Sequence, residues 1–134
     1  MPEEDSHATL EQEALPPGYP TWRRLHLFAS WAVTAIGLAH CVVTAFAFGA
    51  WTDGAVWFLG AGLGVLFVGT LNLAHIGLGP CRMPTTRFVR AVNWVFLVFG
   101  VAALLAVPEP QAIALVAALG LQAIASRVTM PGPV

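Results

Sequence analysis

Four long apolar runs, at about residues 25–48, 55–76, 88–107 and 111–128, limit what this chain can fold into more than any other feature. Their interiors carry no Asp, Glu, Lys or Arg; Arg90 and Arg127 stand close to run ends. A helix needs about 20 mainly apolar residues, rising about 1.5 Å each, to cross a hydrocarbon core about 30 Å thick. The first three runs meet that length easily. The fourth crosses if Arg127 extends its head to the interface and the helix continues towards Met130. Helices are required, because lipid leaves an open backbone unsatisfied. Composition agrees: 57% of the 134 residues are hydrophobic and 10% charged, against about 25% charged in soluble domains.

The expected fold is therefore all-α: an integral membrane four-helix bundle, antiparallel and up-down, spanning residues 22–130. Residues 1–21 are acidic and Pro-rich (PEED, EQE, PPGYP) and are expected to form a disordered cytoplasmic tail. Ala45-Phe46-Ala47 has the form of a signal-cleavage site. The apolar run before it is about 20 residues, longer than the usual run of about 7–15, so the first run reads as a retained span.

All six positive charges are arginines. Arg23 and Arg24 precede the first run, Arg82, Arg87 and Arg90 cluster between the second and third, and Arg127 ends the fourth. The other two connections, WTDG and PEP, carry Asp53 and Glu109 and no arginine. By the positive-inside rule, both termini and the middle loop are expected in the cytoplasm of a multi-pass protein of the bacterial inner membrane. With a net charge of -1 and so few cations, nucleic acid is not an expected partner. The expected partners are the lipid bilayer and either further copies of the chain or a larger membrane complex.

Polar residues inside the runs fall on helical faces. In the first, His26, Ser30, Val33, Gly37, His40 and Thr44 follow one another at steps of three and four, which is one face. In the second, Gly60, Gly64, Val68, Asn72 and His75 do the same. Lipid does not accept such a stripe, so both should point into the bundle. Gly37, Gly60 and Gly64 are expected to admit close helix packing, the last two as a GxxxG pair. The surrounding GAGLG is not a dinucleotide fingerprint, since it lies inside a span rather than after a strand.

Counted from span centres at about 1.5 Å per residue, His26 lies about 16 Å, His75 about 14 Å, Asn72 about 10 Å, Asn93 about 6 Å and Gln122 about 5 Å to the cytoplasmic side. His40 lies about 5 Å to the other side. His26, Asn72, His75, Asn93 and Gln122 thus form an inner-half cluster: a cytoplasm-facing polar pocket, or a set of interhelical hydrogen bonds.

No catalytic set can be assembled. The spans hold no embedded carboxylate of the kind proton-coupled transporters use, and no nucleophile, base and orienter share one depth. Cys41 and Cys81 lack metal-site or redox spacing, so no metal centre is expected. Two functional classes follow from these residues. One is a non-enzymatic packing, accessory or scaffold subunit without a cofactor. The other is a ligand-binding or redox protein in which the inner-half cluster takes a small anion, a metal or a haem b, with His26 and His75 as its weakly signalled ligands.

Overall fold

The computed structural model describes residues 17–78 and 85–130. These form four helices: α1 (Tyr19–Ala47), α2 (Asp53–Gly77), α3 (Thr85–Ala106) and α4 (Pro110–Thr129). Every one is long and apolar enough to cross a membrane. Each helix lies close to one apolar run, because nothing inside a run breaks the chain. The breakers stand at the ends. Gly18 takes a left-handed φ of 77° before Pro20 sits in the first turn of α1. The Thr52 side chain accepts from Ala55 N at 3.3 Å and so caps α2. Pro110 opens α4.

One difference from the sequence reading concerns a helix end. Helix α1 begins at Tyr19, so residues 19–21 belong to it and not to the tail. The remaining tail through residue 16, and Cys81 and Arg82, lie outside the described residues.

α1 packs against α2 and α4, α4 also against α3, and α3 touches α2 more lightly. The α1–α2 seam is the tightest. A Cβ on Gly37 would stand 2.7 Å from Leu66 Cα and would also collide with Leu66 N. One on Gly69 would meet the Thr34 backbone and hydroxyl, and one on Gly62 would lie 3.1 Å from Cys41 N. Thr34, Gly37 and Cys41 thus stand opposite Gly69, Leu66 and Gly62. This corrects the expected glycine face. Gly60 has nothing within 4 Å of a built Cβ, and a Cβ on Gly64 would lie 3.3 Å from the Phe96 ring of α3. At about 100° per residue, Gly60 and Gly64 point roughly opposite to Gly62.

Val33, Val65, Val68 and Leu119 form the central core. A second cluster of Ile76, Val89 and Met130 closes one end. The outer surface is apolar: Phe46, Trp57 and Leu105 are 85%, 79% and 80% exposed. Water would penalise a contiguous surface of this kind, whereas hydrocarbon would not. The described chain is thus an all-helical bundle compatible with a multi-pass membrane protein.

Candidate functional site

The polar residues of the four helices converge on one another. Asn72 on α2 and Asn93 on α3 form a reciprocal amide pair: Asn72 Nδ2 donates to Asn93 Oδ1 at 2.7 Å, and Asn93 Nδ2 to Asn72 Oδ1 at 3.0 Å. Asn72 Nδ2 also donates to Val68 O at 2.9 Å. From α4, Gln122 Nε2 donates to Asn93 Oδ1 at 3.0 Å. From α1, His26 Nε2 lies 3.0 Å from Asn72 Oδ1, and His26 Nδ1 lies 2.7 Å from Thr129 Oγ1.

These partners assign the tautomer. Asn72 Oδ1 can only accept, so His26 Nε2 carries the proton and donates to it. In a neutral ring Nδ1 then accepts, and the single Thr129 hydroxyl proton is shared between His26 Nδ1 at 2.7 Å and Ala125 O at 3.0 Å. Asn72 ends with both N–H groups donated and its oxygen accepting from two residues, so its capacity is filled.

His26, Asn72, Asn93 and Gln122 are all 0% exposed. They form a closed contact between helices and not the lining of an open pocket. Burial drives this arrangement: an amide or imidazole carried into an apolar interior costs free energy unless it finds a partner, and the partners here are one another.

His75 stands apart from this cluster. Its Nε2 lies 3.2 Å from the Thr86 hydroxyl at the start of α3, and His26, its proposed co-ligand, is bonded elsewhere. His40 stacks on Phe58 with ring centroids 3.7 Å apart. Among the described residues no group of three or more His, Cys, Asp and Glu is placed to hold a metal. An open cleft of about 420 Å³ lies between the end of α1 and the start of α2, beside Cys41, Thr44, Phe48, Trp51 and Leu59. None of His26, Asn72, His75, Asn93 and Gln122 lines it.

Two participants were missed from sequence, Thr86 and Thr129. Thr129 had a signal: Gln122, Ser126 and Thr129 are spaced by four and three, as in the α1 stripe. Thr86 precedes the apolar run and had none.

No protein-family model, curated protein or solved structure matches this chain.

Proposed function

We propose that this protein is a non-enzymatic subunit of the bacterial inner membrane, an up-down antiparallel bundle that serves as a packing, accessory or scaffold element. Its outer faces would meet lipid and either another copy of itself or a larger membrane complex. The observation that carries the reading is the cluster itself. The buried amides of α2, α3 and α4 and the imidazole of α1 are directed at one another. Such a set holds four helices in register and leaves little free for a substrate. The redox alternative would need His26 to release either Thr129 or Asn72, since both ring nitrogens are engaged.

Antiparallel packing is supported by the α1–α2 seam, where positions ascending along α1 stand opposite positions descending along α2. Cytoplasmic termini are supported by the arginines. The Arg127 guanidinium sits 4.9 Å from the Trp94 ring centroid, a pairing suited to the headgroup level.

Two measurements test this. A reporter active only in the cytoplasm should work when fused after Val134 and fail when inserted at 49–52 or 107–109; activity at either loop overturns the orientation. Protein purified from native membranes in mild detergent should be colourless and elute with a partner or as an oligomer. A Soret band or stoichiometric metal overturns the accessory reading.

A further inference from the structure

We infer that the polar cluster contains a bound water molecule at Gln122, in the seam between α3 and α4. Gln122 is 0% exposed, and its Oε1 has no hydrogen-bond partner among the described residues. Exchanging its oxygen and nitrogen gives no relief. Nε2 lies 3.0 Å from Asn93 Oδ1, and the exchange would set two acceptors against each other. Asn93 cannot be exchanged in turn, because its Nδ2 donates to Asn72 Oδ1 and its Oδ1 accepts from Asn72 Nδ2.

The donors of Ser126 and Asn72 are committed. Ser126, one turn along α4, donates its hydroxyl to Ala123 O at 2.8 Å. Both N–H groups of Asn72 are in use. A buried carbonyl without a donor costs about 1–3 kcal/mol. Polar sites of this kind are where buried water is found, making about three hydrogen bonds.

The groups around Gln122 offer a water both an acceptor and donors. Gln122 Oε1 accepts from it. Asn93 Nδ2 and Gln122 Nε2 each use one N–H on a protein oxygen, which leaves each a second N–H to donate. Asn72, whose capacity is filled, offers nothing. On one side of Gln122 the α4 face continues to Leu119, whose Cδ1 lies 3.0 Å from the position of a Cβ on Gly100. On the other side the same α4 face continues through Ser126 to Thr129. That end of the helix lies seven residues away, about 10 Å along the axis.

The contrast between Gln122 and Asn72 makes the test internal to one sample. The full chain, 15N-labelled and in detergent micelles, is examined for dipolar transfer from water to side-chain amide protons in the rotating frame. The Gln122 amide should show a cross-peak of dipolar sign, several-fold more intense than any at Asn72. Absence of that peak with the Gln122 amide resolved overturns the site. Equal intensity at the two residues also overturns it, since general hydration of the cluster would then be the cause. Because the wild-type protein is used, no variant has to fold.

Discussion

Gly37→Ala is expected to destabilise the bundle by about 2–3 kcal/mol, the upper range for forcing volume into a packed interior. The usual relief is a change of rotamer in the neighbour. Here the neighbours are the Leu66 N and Cα and the Gly62 carbonyl oxygen, which belong to the α2 backbone and have no rotamer. The two helices have to separate. Gly60→Ala is the matched control, with open space at its Cβ. It should be neutral or stabilising by up to about 1 kcal/mol, because alanine favours a helix over glycine. Detergent-titrated unfolding read by circular dichroism measures both. Similar stabilities for the two variants would mean that α1 and α2 do not meet at Gly37.

The second large effect lies in the amide pair. Asn72→Leu removes the Nε2 partner of His26 and one of the partners of Asn93, and should cost about 2–3 kcal/mol, within the range for stranding buried polar groups. Asn93→Leu should be comparable, since it strands Asn72 and Gln122 together. The double variant should cost clearly less than the sum, with a coupling of about 1 kcal/mol, inside the span of up to about 1.7 kcal/mol measured for polar contacts in membrane helices. Additive losses would show that the two amides do not bond to each other, and the register-setting role of the cluster would fall with them.

The spans were legible because hydrophobicity over about 20 residues is a strong, redundant signal. One substituted residue hardly alters it. The cluster was half legible. Asn72, Asn93 and Gln122 stand out because an amide inside an apolar run has to find a partner, but which partner depends on how each helix is rotated. Depth estimates separated Asn72 from Asn93 by about 4 Å at 1.5 Å per residue, yet the two side chains bond directly. His26 and His75, matched in depth, each bond to other residues. Matched depth does not by itself select a hydrogen-bond partner, and Thr129 and Thr86 took those places. The glycine face was the least legible. With glycines at 60, 62, 64 and 69, spacing alone allows several faces, and only the position of α1 selects Gly62 and Gly69.

The bond between His26 and Thr129 has a consequence for the membrane around the protein. It joins α1, 29 residues long, to α4, 20 residues long. Beyond that bond, each helix continues for roughly 20 residues, or about 30 Å. The first seven residues of α1, which include Trp22, Arg23 and Arg24, are left as an overhang of about 10 Å. The apolar height of the bundle is thus set by its shortest helix. A bilayer thicker than about 30 Å would have to thin around α4 or draw it inwards. Drawing it inwards would load the Thr129 contact first, so hydrophobic thickness and the integrity of the cluster are mechanically linked in this protein.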